Sequence, residues 1–488
     1  MVRMLFITSP GSIRPEPNVE STDWAPQWIT RQEEQAYFDD ETAGLFLTEW
    51  STKDSFVTGA HPGDHCPVFL HESLLMAIRW SRHADVDLQI VSFKHFAQVA
   101  LMGDGRVLKE YGCRFDIVYG GCEYTTDRVE AGDFRNRQDE LRYIARMEVL
   151  ARSVLVWPPP QESFFYRQKL ALIRRLEEVA ECTTWTSRPK TSILLNKSQF
   201  TECTVLKREG SDQSKRRIFH DSCRNPQKTA TDLCKSNQKI LAKRQKKPDD
   251  LEAKHGMLWM VQDLVPELRK YGEYRVYVVA GKVVSVVGTT PTEGGWCIKD
   301  CHGVYGLTEL TPEVLANPEP HDVLVRQGGT RALLEKATKA LHDYVLMTHK
   351  ALIQKAESES PGASSVLREF ARIDVSVMRK LSSEAGYDYF VNEVEIPNGI
   401  YFFSQHSDGA ERVMDELLEA LLTSARSRFK FDDQRYKFSS DPTNLNALGT
   451  SMAFHDDDDE IEIQACDWEA GLIDMEGQGF ERLRVATL

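Results

Sequence analysis

The chain has 488 residues, of which 41% are hydrophobic and 27% charged, and its net charge is −14. That size points to two or three domains rather than one core, and the acidity argues against a general nucleic-acid or anionic-membrane binder. No apolar run approaches the ~20 residues needed to cross a bilayer, and the ten cysteines are scattered as expected of reduced thiols in a cytoplasmic protein.

The opening "MVRMLFITSPGS" reads as a first strand, Met4 to Thr8, entering a turn. Residues 12–60 are polar and poorly periodic and carry no assignment. "HESLLMAIRWSRHA" has helical spacing, "VDLQIVSF" and "RFDIVYGG" read as strands, and "DELRYIARMEVLARS" as a further helix. "VLVWPPP" closes this α/β region, because the prolines at 158–160 cannot continue a helix or a central strand. The first domain is therefore taken as 1–156.

"FFYRQKLALIRRLEEVA" follows as one helix, with Leu170, Ile173, Leu176 and Val179 on a face. The strand "CTVLKRE" leads into "GSDQSKRRI", and residues 208–250 are basic and low in apolar residues, as a mobile insertion would be. "LWMVQDLV" is a strand; "YRVYVV" and "VVSVVGT" form a hairpin with Gly281 at its tip. Pro291 to Gly306 reads as a loop, and its Cys297, Cys301 and His302 lack the further ligands of a zinc site. A long helix "RALLEKATKALHDYVLMTHKALIQKA", a hairpin and the amphipathic helix "AERVMDELLEALLTSARS" come next. The polar tail after Phe431 carries "HDDDDEIEIQ" and reads as a solubilising or interacting segment.

The second hairpin holds the chemistry. In "RIDVSVM" and "YFVNEVEI", alternation puts Arg372, Asp374 and Ser376 on one face and Ile373, Val375 and Val377 on the other. On the returning strand Glu393 and Glu395 oppose Phe390, Val394 and Ile396. Folded symmetrically, the hairpin sets Asp374 across from Glu393 and Arg372 across from Glu395. Like charges directly opposite each other destabilise a sheet. A metal ion between Asp374, Glu393 and Glu395 relieves them, and hard oxygen ligands favour Mg²⁺ or Mn²⁺. The plainer alternative is a solvated sheet face carrying an Arg372–Glu395 salt bridge. Lys207 shares a face with apolar neighbours and wants an anionic partner, as does Arg275 inside an apolar strand.

The order of a lysine helix, a lysine strand with a small-residue loop, "VQDLV", "E-x-R", "R-x-D" and "N-E-V-E" resembles the ATP-grasp superfamily of carboxylate–amine ligases over about residues 155 to 430. The resemblance implies an α/β (α+β) protein with an ATP-grasp fold behind an N-terminal pre-ATP-grasp domain. It divides the chain into subdomain A (157–260, with the basic insertion 208–250), subdomain B (261–430) and an acidic tail (431–488). It implies nucleotide contacts from Lys169, Lys207, Gly210 and Ser211, and from Gln262, Asp263 and Val265 in the hinge strand, with Glu267 toward the ribose. Arg275 and Lys207 are the implied catalytic cations, and Asp374 and Glu393 the magnesium ligands. Where the family has Glu-x-Asn, this chain has Glu393-Val394-Glu395 after Asn392, so the last ligand stays open between Glu395 and Asn392.

The implied reaction consumes ATP to form an acyl phosphate, which an amine converts to an amide with release of ADP and phosphate. Small carboxylates and amines, amino acids among them, are the implied partners, with no nucleic acid or membrane, and a homodimer is possible on the family's pattern. A phosphotransferase on the same fold and a catalytically silent binding protein are the rival readings.

Overall fold

The apolar run at the N-terminus forms β1 (Val2–Thr8), central in a parallel sheet with β2 (Val86–Ser92), β3 (Ile117–Tyr119) and β4 (Leu155–Trp157), in the order β2-β1-β3-β4. A parallel sheet needs both faces covered, which explains why Met4, Leu5, Phe6 and Ile7 are all buried. The covering helices are α1 (Glu72–Ser81), α2 (Phe93–Leu101), α3 (Arg106–Gly112) and α4 (Arg137–Ala151). The structure, a computed structural model, describes residues 1–8, 72–103, 105–122, 129, 134–209, 217–247, 256–292, 295–300, 331–359, 364–379, 387–396 and 407–429.

Pro160 starts α5 (Pro160–Arg167) at a first-turn position where its missing N–H costs nothing. The expected single helix is broken at Gln168, whose φ of −80° and ψ of 80° are non-helical, and α6 (Lys169–Val179) restarts on Lys169. A second sheet, antiparallel throughout, has the order β5-β8-β6-β7 from β5 (Thr191–Ile193), β6 (Thr204–Arg208), β7 (Arg217–Phe219) and β8 (Trp259–Asp263). Leu170 and Ile173 of α6 pack on Met260, on one face. The other face is covered by α7 (Pro226–Lys246) through Ala230 and Cys234.

That helix corrects the expectation of a mobile basic insertion at 208–250. Asn225 caps it and Pro226 starts it. Fully buried Asn237 donates to Leu194 O and Trp259 O, both at 2.8 Å, and accepts Trp259 N–H at 2.9 Å. A polar side chain with its bonds met thus anchors α7, a signal that hydrophobic spacing does not carry. Residues 210–216 lie outside the described residues, as does the acidic tail.

After β8 the chain crosses through α8 (Pro266–Tyr271) to a third, antiparallel sheet of order β11-β10-β9-β12-β13. Its strands are β9 (Glu273–Val279), β10 (Lys282–Thr292), β11 (Gly295–Asp300), β12 (Phe370–Arg379) and β13 (Tyr387–Glu395). The expected loop at Pro291–Gly306 therefore contains a strand, paired with β10 from Thr292 opposite Gly295. The expected β9–β10 hairpin turns on Ala280 (φ 47°) and Gly281 (φ 73°), both left-handed as a type I′ turn demands. Alanine is strained there, so Ala280→Asn should raise stability by about 0.5–1 kcal/mol, read as a higher urea midpoint.

The helices α9 (Arg331–Glu359) and α10 (Ser407–Phe429) complete the described elements, as their apolar periodicity leads one to expect. Trp80 of α1 donates to Met414 O of α10 at 3.0 Å, and Arg79 holds Asp415 with two bonds of 2.7 and 2.8 Å. Apart from the last turns of α9 and α10, these elements belong to one unit, Met1–Ile353 with Ser365–Ala425. A second unit comprises Gln354–Ser364 and Arg426–Leu488, and within it Lys355 meets Glu359 one helical turn on at 3.5 Å.

Candidate active site

The hairpin register is the expected one: Asp374 lies opposite Glu393 and Arg372 opposite Glu395. On its other side Asp374 lies opposite Arg275 of β9. Just past Asp374 the pairing slips, so that Val375 faces Val391 and Asn392 becomes an extra residue on β13. A bulge of this kind re-aims neighbouring side chains. Asn392 and Glu393 are consecutive, yet Asn392 accepts from Lys207 Nζ at 3.4 Å and Glu393 Oε1 lies 2.8 Å from Lys169 Nζ. The slip also corrects the face expected for Phe390. It sits opposite Ser376, on the side of Asp374, while Val394 sits opposite Ile373.

Cations of the chain itself meet the two facing carboxylates. Arg372 grips Asp374 of its own strand with two bonds of 2.8 Å, Nε to Oδ1 and Nη2 to Oδ2, both side chains being buried. Burial works against the Arg372 charge, but Asp374 and Glu395 more than offset it and shift its pKa up. Burial likewise disfavours ionised Glu393, yet Lys169, Lys207 and Arg372 outweigh it and hold the carboxyl at about 2. Among the described residues no three His, Cys, Asp or Glu side chains are grouped as a metal would need. The donor set nevertheless fits a magnesium ion that takes only one or two carboxylates from the protein and the rest from phosphate and water. Asp374 keeps lone pairs beyond the two used by Arg372, and the Lys169 side chain is long enough to move off Glu393.

Around this pair a charged network closes in. Glu273 lies 3.6 Å from Arg275 and accepts Asn392 Nδ2 at 3.0 Å; burial and the nearby Asp374 raise its pKa. Arg275 Nε donates to Thr289 Oγ1 at 3.4 Å. Lys207 stands beside Met260 in the register, on the α6 face of its sheet. Burial lowers its pKa to about 8, Lys169, Arg217 and Arg188 adding to the effect and Glu393 opposing it. Arg217 of β7 is also lowered by burial, with Glu273 and Glu393 resisting.

The sequence reading missed Arg217, Arg372 as the partner of Asp374, and Arg188. Arg188 is buried, donates from Nη1 to Val391 O, and is lowered by burial to about 10. Its Nε and Nη2 meet no acceptor among the described residues.

The hinge residues divide. The buried amide of Gln262 donates to Thr191 Oγ1 at 2.8 Å, inside its own sheet. Asp263 is exposed, and its N–H is already given to Lys190 O at 2.9 Å. Val265 accepts Arg269 N–H at the start of α8, and its side chain joins Leu268, Met378 and Phe390 in an apolar patch. Such a patch suits the face of a ring. Glu267 is buried 3.7 Å from Arg379, which commits its carboxylate to that partner. Gly210 and Ser211 lie outside the described residues.

Five cations (Lys169, Lys207, Arg217, Arg275, Arg372) and three acids (Glu273, Asp374, Glu393) therefore converge from two sheets and one helix start. Such a site is suited to a polyanion accompanied by a divalent cation. No helix among the described residues is long and apolar enough to cross a membrane.

No protein-family model and no curated protein matches this chain. Among solved structures it is similar to the D-cycloserine synthetase DcsG, at 10% identity and a TM-score of 0.41, over 72% of this chain and 94% of that one. It is also similar to D-alanine–D-alanine ligase from Bacillus anthracis complexed with ATP, at 9% identity and a TM-score of 0.40, over 88% and 100% of the two chains. A third is the ATP-grasp ligase PsnB complexed with minimal precursor, at 10% identity and a TM-score of 0.39, over 86% and 100%. At these identities and TM-scores the likenesses carry no substrate, cofactor or reaction over to this chain. The described sheets themselves are a four-stranded parallel sheet and two antiparallel sheets of four and five strands.

Proposed function

We propose that the chain is an ATP-dependent carboxylate–amine ligase. The observation that carries this is the pair Asp374 and Glu393, in direct cross-strand register and each held by a cation from the same cleft. Asp374 and Glu393, with Glu395 beside them, would hold Mg²⁺, which when bound neutralises phosphate charge. In this reading Lys169, Lys207 and Arg217 would meet the phosphates of ATP, and the patch of Val265, Leu268, Met378 and Phe390 the base.

The chemistry asks little of a protein nucleophile. A substrate carboxylate oxygen attacks the γ-phosphorus, the bond to ADP breaks, and an acyl phosphate forms. An amine then attacks the acyl carbon, phosphate leaves with the bonding electrons, and the nitrogen loses a proton to give the amide. Arg275 and Arg372 are buried guanidiniums that can stabilise the transferring phosphoryl group without reorganising. Small carboxylates and amines, amino acids among them, are the substrates, and the cytoplasm is the setting of this reading.

Incubating the protein with ATP, Mg²⁺ and pooled amino acids should yield ADP, phosphate and a product whose mass is that of its two substrates less one water. Both should vanish without Mg²⁺. ADP with a phosphorylated product and no need for an amine would instead favour a phosphotransferase. Absence of both ATP turnover and ATP binding would overturn the reading.

A further inference from the structure

One carboxylate outside the cleft touches the segments that lead to both halves of it. Glu162, on α5, accepts the Ser365 hydroxyl at Oε1 and Val366 N–H at Oε2, the latter at 2.7 Å. Ser365 in turn caps the short 3-10 turn Val366–Arg368 by accepting Leu367 N–H at 3.3 Å. That turn runs directly into β12, the strand of Arg372 and Asp374. In the other direction α5 runs through Gln168 into Lys169, the partner of Glu393.

The charged and titratable groups that bear on Glu162 come from each element around it. Arg175 reaches it from α6, and Arg175 also lies over the Phe165 ring at 3.7 Å. Glu369 faces it from the end of the 3-10 turn and itself accepts the Ser424 hydroxyl at 2.6 Å. Tyr166 is on its own helix, buried and shifted up. Burial raises Glu162 to about 7; the bonds from Ser365 and Val366 and the charge of Arg175 oppose the shift without cancelling it.

We propose that Glu162 is a positioning residue that fixes the start of β12 against the helices leading to Lys169, and that it grips most firmly when protonated. As an acid it donates to the Ser365 oxygen while still accepting Val366 N–H, and no charge is left where burial disfavours one. The sign follows from linkage. The latched carboxyl titrates at about 7 and a solvated one at 4.5. Latching is therefore fully favoured below 4.5 and weakens by up to on the order of 10²-fold as pH rises through 7. Any effect on turnover rests on the ligase reading; the grip on β12 does not.

Hydrogen exchange of the whole protein, followed over residues 364–379 at pH 6 and 8.5 and corrected for intrinsic rates, tests this. Wild-type protection at Ser365–Phe370 should fall by about tenfold at the higher pH, the limit that linkage sets between these two pH values. Glu162→Gln, whose amide can donate to Ser365 and accept from Val366, should keep protection at both values. Glu162→Ala should lose it at both. Wild-type protection in the alanine variant, or a glutamine variant that follows the wild-type pH dependence, would overturn the proposal. The expected exchange pattern in a protein that turns over no ATP would support the latch and count against the ligase reading alone.

Discussion

Glu393→Gln is expected to lower Mg²⁺-dependent ATP turnover by on the order of 10²–10³, the largest effect of any near-isosteric change in the cleft. The carboxylate is the hub of three cations: Lys169 at 2.8 Å, Lys207 and Arg372. Removing its charge leaves Lys207, already near 8, without the group that holds it up. Lys207 then loses its proton at still lower pH, so nucleotide affinity, which in wild type should weaken above about 8, weakens earlier. Isothermal titration with ATP and Mg²⁺ across pH 6 to 9 reads this directly.

The same substitution carries a stability signature of known sign. Glu393 titrates at about 2 in the folded protein against 4.5 as a free carboxyl. Its stabilisation is therefore present above 4.5 and lost as pH falls toward 2. The full shift is equivalent to about 3 kcal/mol. With Lys169 and Glu393 side chains 22% and 31% exposed, screening by solvent reduces that to about 1–2 kcal/mol. Urea midpoints at pH 3 and pH 7 should lie further apart in wild type than in the glutamine variant. An equal separation would mean that the Lys169–Glu393 pair contributes nothing to folding. Glu162 acts with the opposite slope in a different window, between 4.5 and 7, so the two contributions can be separated.

What the sequence discloses of this site follows from how regular each part is. The hairpin register is legible because strand alternation and a short polar connection leave few ways to fold it, and Asp374 opposite Glu393 is the result. Ala280-Gly281 is legible as a turn for the same reason. The bulge at Asn392 has no such mark: no glycine or proline announces it, and it moves Phe390 to the other face. The break at Gln168 is equally silent, yet it makes Lys169 the first residue of a helix rather than a mid-helix lysine. The anchoring of α7 by Asn237 depends on carbonyls of Leu194 and Trp259, partners that only the fold supplies. The bond from Gln262 to Thr191 is likewise silent, because adjacency to the hinge says nothing about the neighbouring strand.

The second large expectation concerns Arg372 and Asp374, a buried bidentate pair within one strand. Arg372→Met leaves the Asp374 carboxylate buried beside Glu273 with Arg275 as the nearest guanidinium in register, and should cost about 3–5 kcal/mol. Asp374→Asn leaves the guanidinium opposite Glu395 and should cost less, about 2–3 kcal/mol. The double variant should be less destabilised than the sum of the two by about 0.5–3 kcal/mol, because the second change removes a charge the first left stranded. Additive costs would mean that the two side chains do not depend on each other. The cycle also separates folding from function. In a buried ion pair with no other role, activity lost in Asp374→Asn should return in the double variant as stability returns. In a cleft where Asp374 faces magnesium and Arg372 the transferring phosphoryl group, restoring stability restores no turnover. Measuring urea midpoints and ATP turnover on the same four proteins therefore decides whether this pair is a buried salt bridge or the reacting centre.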